Sequence, residues 1–73
     1  MEEKNSQEER TIGKKIKALR NKQGLTAEAL ARKADIPYTT LSKIESDVIK
    51  SPTLPTVIKV AEGLDITLDE LIK

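Results

Sequence analysis

The sequence predicts an all-α fold, a compact domain of five short helices in 73 residues. Three observations predict it. Apolar residues recur at helical spacing from Thr11 onward, and no stretch alternates in the manner of a strand. Gly, Asp and Pro punctuate the periodic stretches at intervals that suit short helices. Residues able to cap a helix stand at the start of several of them. The length allows one small domain, in which helix packing must supply most of the stability.

Residues 1–10, MEEKNSQEER, have no periodicity and are expected to form a flexible charged tail ahead of a domain at 11–73. In the first helix Ile12, Ile16 and Leu19 stand at i, i+4 and i+7 with lysines opposite, and Gly24 ends it. Thr26 is the expected N-cap of the second helix, and Glu28 lies in its first turn, where a carboxylate suits the helix dipole. Leu30, Ala31 and Ala34 form its buried side, and the two alanines imply a neighbour packed very close. Asp35 fits a tight turn, because Asp tolerates the left-handed conformation better than most residues. Pro37 opens a third helix over about residues 37–46, with Leu41 and Ile44 inward and Val48 extending the stripe. DVIKSPT reads as a loop. Thr53 then caps a fourth helix in which Leu54, Val57, Ile58, Ala61 and Leu64 face the core, with Pro55 in its first turn. Residues 67–70 form a capping box that opens a last helix bearing Leu68, Leu71 and Ile72.

Composition excludes several function classes. The chain has no Cys and no His, so disulfides, the usual zinc sites and Cys or His nucleophile systems lose their key residues. No cofactor is expected, and there is no glycine-rich phosphate loop. The acidic residues are scattered at helix starts and tails, where capping accounts for them, so an enzyme is not expected. No apolar run is long enough to span a membrane, and the charged N-terminus lacks the core of a signal peptide. A cytoplasmic location is expected, in keeping with the absence of Cys.

Charge is informative once divided. Residues 1–10 and 51–73 each carry two positive and four negative charges, whereas residues 11–50 carry nine positive and four negative, a net +5. That concentration suits a polyanion, although a set of solvated helix faces would give the same sum. The second and third helices, joined by a short turn at Asp35, have helix-turn-helix spacing, in which the later helix can enter a major groove. The start of that helix presents Tyr38, Thr39, Ser42 and Lys43, the short polar and basic side chains such a role needs. With one aromatic residue the chain lacks the stacking platform of a single-strand binder.

These residues resemble a known family. LRNKQGLTAEALARKADIPYTTLSKIES is similar to the Cro and phage-repressor (XRE) type of helix-turn-helix domain, whose fold is lambda-repressor-like. The resemblance runs from about Ile12 to Ile72. It is carried by Gly-Leu-Thr at 24–26, Glu-x-Leu-Ala at 28–31, Leu-Ser-Lys-Ile-Glu at 41–45, Pro-x-Leu at 52–54 and Leu-Asp-Glu-Leu at 68–71. It implies that the third helix is the recognition helix, with Tyr38, Thr39 and Lys43 at base edges and Ser42 a weaker contact. It implies phosphate contacts from Thr26 and the Ala27 N–H, with Thr40, Ser46 and Lys50 as further candidates. Arg20 and Glu45 match a structural salt bridge that ties the first helix to the third.

The implied function is sequence-specific binding of double-stranded DNA by a transcriptional repressor, acting as a homodimer on a two-fold-related operator. No sensor domain is expected after Lys73. Some residues depart from the pattern. Ala27 stands where glutamine is common, and Asp35, Asp47 and Asp65 stand where glycine is expected. Asp47 is expected to bring a negative charge near the DNA backbone, and the loop after Glu45 is a residue longer than usual, with only Lys50 as a cation. The alternative is therefore a protein-interaction module on the same fold, antitoxin-like or an adaptor, with Val48 and Ile49 serving a protein partner. Lys14, Lys15, Lys17 and Lys22 are expected to form a solvated face giving long-range attraction only.

Overall fold

A computed structural model describes residues 11–72, so the expected tail at 1–10 lies outside the described residues. The described chain is all-helical: α1 (Ile12–Lys22), α2 (Ala27–Ala34), α3 (Tyr38–Glu45), α4 (Leu54–Gly63) and α5 (Leu68–Ile72). α2 packs most extensively on α4, α3 lies against both α1 and α2, and α5 closes the core over α1 and α4. Ile16, Leu30, Leu41, Ile44, Val60, Leu64 and Leu71 are fully buried, so every helix contributes a large apolar side chain to one core.

Two close approaches set the spacing of the bundle. Ala34 packs against Gly63, where an added Cβ would lie 3.0 Å from the Ala34 nitrogen and 3.1 Å from its Cβ. This is the close neighbour that the alanine-rich face of α2 implies. Gly13 at the start of α1 packs on the C-terminal end of α3, and a Cβ there would overlap the carbonyl oxygen of Ile44. Local spacing in the sequence assigns Gly13 no role.

The helices are joined by a recurring device. Gly24, Asp35 and Asp65 all adopt the left-handed conformation, at φ 74°, 61° and 61°. In each case the following residue, Leu25, Ile36 or Ile66, donates its N–H to a carbonyl five residues back, on Arg20, Ala31 or Ala61 at 3.0 Å. Each of these aliphatic residues also packs on the core. The result is a Schellman-type stop with its hydrophobic contact, followed at once by the residue that starts the next helix. Asp47, at φ 67°, is also left-handed, but there the return bond comes from Ile49 to Lys43, one residue longer.

Several expectations about individual side chains are corrected. Leu54 and Ile58 do not face the core: Leu54 is 60% and Ile58 38% exposed, because Val57, Val60, Ala61 and Leu64 already fill the buried face of α4. Val48 does not extend the α3 stripe and is 69% exposed, since the helix ends at Glu45 and the chain turns at Asp47. Thr53 holds the N-cap position but makes no cap hydrogen bond; its hydroxyl meets that of Thr56 at 3.0 Å. The capping box of α5 is reciprocal: Thr67 N–H donates to Glu70 Oε1 at 2.9 Å and Glu70 N–H to Thr67 Oγ1 at 3.1 Å.

Gly13→Ala separates packing from propensity. Helix propensity alone favours Ala by about 1 kcal/mol. The Ile44 carbonyl instead predicts a net loss of about 1–3 kcal/mol in denaturant unfolding, as for other overpacked sites. A stabilised variant would show that α1 and α3 can separate freely.

Candidate nucleic-acid interface

The site is built on α2, the Asp35 turn and α3. Asp35 closes α2 with its N–H on the Ala31 and Arg32 carbonyls. Ile36 anchors the turn, and Pro37 is the N-cap of α3. Proline offers no side-chain acceptor, so the first turn of α3 has no side-chain cap. Leu41 and Ile44 bury the inner face of α3.

Arg20 holds α3 from behind. Its Nε donates to Glu45 Oε2 at 2.8 Å and its Nη2 to Glu45 Oε1 at 2.9 Å, while Nη1 donates to the Leu25 carbonyl at 2.9 Å. One guanidinium thus joins α1, the α1–α2 turn and the end of α3. The two side chains are only 12% and 9% exposed. The Glu45 hydrogen bond raises the Arg20 pKa further above its ordinary value, and burial opposes that rise. The planar fork of Arg matches a carboxylate in a way that Lys could not.

The outer side of α3 divides by helical spacing. Tyr38 and Ser42 lie on the flank shared with Glu45, and with Arg20, Ala27 and Ser46 they border one cleft. Thr39 and Lys43, both exposed, point away from the buried Leu41 and Ile44 stripe. Among the described residues, none of the Tyr38, Thr39, Ser42 and Lys43 side chains makes a hydrogen bond. Thr40 is on the opposite flank, partly buried beside Ile49, Pro52 and Thr56, apart from the other α3 candidates.

The other candidates frame this face. Thr26 Oγ1 accepts from the Ala29 N–H at 3.0 Å and so caps α2. The Ala27 and Glu28 N–H groups have no partner within the helix by its geometry. Ser46 follows α3, exposed, with its hydroxyl 3.4 Å from the Lys43 carbonyl. Lys50 is exposed in the α3–α4 loop. The region therefore brings together the start of α2, the free face of α3 and the chain just after it.

Asp47 does not stand as an uncompensated charge. Its Oδ2 lies 3.3 Å from Lys14 Nζ. A hydrogen bond from Thr11 is the main cause holding its carboxyl below the usual value; burial opposes this, and Lys14 and Lys50 add to it. Lys14 is accordingly not part of a merely solvated face. Thr11 also caps α1 by accepting from the Lys14 N–H at 3.2 Å. Sequence reasoning missed the link from Lys14 and Thr11 to Asp47, because it joins residues far apart in the chain. It likewise missed Gln23, whose Nε2 donates to the Leu64 carbonyl at 2.7 Å and ties the end of α1 to the end of α4.

Arg20→Ala would leave Glu45 without its partner near the core. Exposed ion pairs contribute under about 1 kcal/mol and breaking buried ones costs about 3–5 kcal/mol. This pair lies between those cases, so a loss of about 2 kcal/mol is predicted in urea unfolding. An unchanged midpoint would show that α3 does not depend on the pair.

Among the described residues no helix is long and apolar enough to cross a membrane. No solved structure matches the chain significantly. A relative in Rickettsia prowazekii (strain Madrid E), described as an uncharacterized HTH-type transcriptional regulator, is 40% identical over 47 residues, covering 60% of this chain and 51% of the relative. The chain thus spans about half the length of the curated relative it matches. The helix-turn-helix family matches residues 16–71, from the middle of α1 through α5. With that match covering most of its length, the chain belongs to the XRE-type helix-turn-helix family.

Proposed function

We propose that the chain is a sequence-specific, double-stranded DNA-binding transcriptional regulator. It acts as a repressor, as a homodimer on a two-fold-related operator with half-sites about one helical turn apart. One observation carries this reading: α3 is fixed from behind by the Arg20–Glu45 fork, while Tyr38, Thr39, Ser42 and Lys43 are exposed with no side-chain hydrogen bond among the described residues. A rigid helix with unsatisfied polar groups on its free face is suited to reading base edges. Family membership and the description of the Rickettsia relative support the same reading.

The roles follow from side-chain chemistry. Lys43 donates to guanine O6 or N7, and Thr39 hydrogen-bonds a base or packs its methyl on thymine. Tyr38 lays its ring against sugar and a thymine methyl, and Ser42 makes a shorter polar contact. Thr26, the Ala27 N–H, Ser46 and Lys50 hold phosphates, and Thr40 reaches a phosphate from the other flank. Asp47 does not oppose this, because Lys14 and Thr11 already engage its carboxylate.

The second reading, a protein-interaction module, is favoured by one feature: Val48, 69% exposed, stands just beyond α3. Ile49 does not support it, because it packs on the core.

Selection from a randomised duplex pool at about physiological salt separates the two readings. Enrichment of a two-fold motif is expected. With three or four phosphates neutralised per subunit, binding should show a log–log salt slope of about −5 to −7. Lys43→Glu should abolish binding with helicity intact, since Lys43 is exposed. A folded protein that enriches no motif would favour the protein-interaction module.

A further inference from the structure

Between α1, the start of α2 and α3 lies a cleft of about 230 Å³, walled by Lys17, Arg20, Ala27, Tyr38, Ser42, Glu45 and Ser46. Three formal charges face it. Arg20 and Glu45 cancel through their two hydrogen bonds at 2.8 and 2.9 Å. Lys17 is left: it is exposed, and among the described residues it has no ion pair and no side-chain hydrogen bond. Lys14, one turn earlier on α1, is held by Asp47 and does not line this cleft. Hydroxyls complete the wall. Those of Tyr38 and Ser42 have no hydrogen-bond partner among the described residues, and that of Ser46 has only the long 3.4 Å contact to Lys43.

A small opening with one uncompensated cation and several hydroxyl donors suits a tetrahedral oxyanion. Ala27 keeps it open, because its side chain ends at Cβ. The opening lies on the Tyr38–Ser42 flank of α3, and a helix inserted in a major groove has a phosphate backbone along its flank. Resting on the DNA-binding reading above, we propose that this cleft seats a DNA phosphate and that Lys17 is its charged ligand. Lys17 then acts as a direct contact, distinct from the other α1 lysines, and it supplies the side-chain donor that Ala27 cannot.

Contact and long-range attraction differ in their salt dependence. A cation placed on a phosphate displaces a counterion and adds about 0.9 to the log–log slope, whereas a charge held beyond the Debye length of about 8 Å is largely screened. The test measures affinity against salt for the wild type, Lys17→Gln and Lys22→Gln on a duplex enriched by the wild type. Lys22 is the control, exposed on the same helix and absent from the cleft. Lys17→Gln should reduce the slope by about 0.9 for each bound subunit, equally on enriched and random duplexes, and Lys22→Gln should leave it unchanged. A single methylphosphonate moved along the duplex should reveal one position per half-site that weakens the wild type more than it weakens Lys17→Gln. An unchanged slope for Lys17→Gln on a duplex that the wild type binds, or an equal fall for Lys22→Gln, overturns the seat alone. Wild-type protein that binds no duplex overturns the DNA-binding reading and the seat with it.

Discussion

The fork between Arg20 and Glu45 is the interaction on which the site depends. Its geometry does two things at once. The paired hydrogen bonds fix the C-terminal end of α3 against α1, and the third, to the Leu25 carbonyl, fixes the turn that leads into α2. Both helices of the helix-turn-helix are therefore referred to one guanidinium. The outer residues of α3 need not stabilise the fold, which leaves their polar groups available to a ligand. The same pairing removes two charges from the cleft beside α3, and it is this cancellation that leaves Lys17 as the cleft's effective charge.

Backbone constraints supply the rest of the precision. Gly13 and Gly63 let α1 meet the end of α3 and α4 meet α2 at distances that a Cβ would forbid or strain. The left-handed residues at Gly24, Asp35 and Asp65 reverse the chain in a single residue and hand it to the next helix start. Aspartate at such positions costs about 1–2 kcal/mol of local strain relative to the right-handed conformation. At Asp47 the side chain offsets this by engaging Thr11 and Lys14. At Asp35 and Asp65 the aliphatic residue that follows packs on the core and closes the turn.

What could be read in the sequence is what local spacing encodes. The inward apolar residues of α1 to α3, the caps at Thr26 and Thr67, the turn at Asp35 and the place of Pro55 follow from period, capping chemistry and proline geometry. Leu54 and Ile58 misled because α4 carries more apolar residues than one face can bury, and the pattern does not say which of them the neighbouring helices exclude. Val48 misled for a related reason, since a stripe extrapolated past Glu45 ignores the left-handed turn at Asp47. The roles of Gly13, Gln23 and Lys14 depend on which chain ends meet in space, and no local pattern states that. For the candidate site, the resemblance named the salt-bridge partners and the α3 face, and the sequence alone could not separate Lys17 from its neighbours on α1.

On the proposed function, a duplex docks on the free face of α3 together with the start of α2. Amide chemical-shift mapping during titration with an unselected duplex tests it most directly, because non-specific and specific binding use the same phosphate-facing surface. The largest perturbations are expected at residues 26–28, 38–43 and 46–50, and none at the exposed Leu54 and Ile58 of α4. Perturbations centred on α4, or none anywhere in a folded sample at low salt, would contradict it.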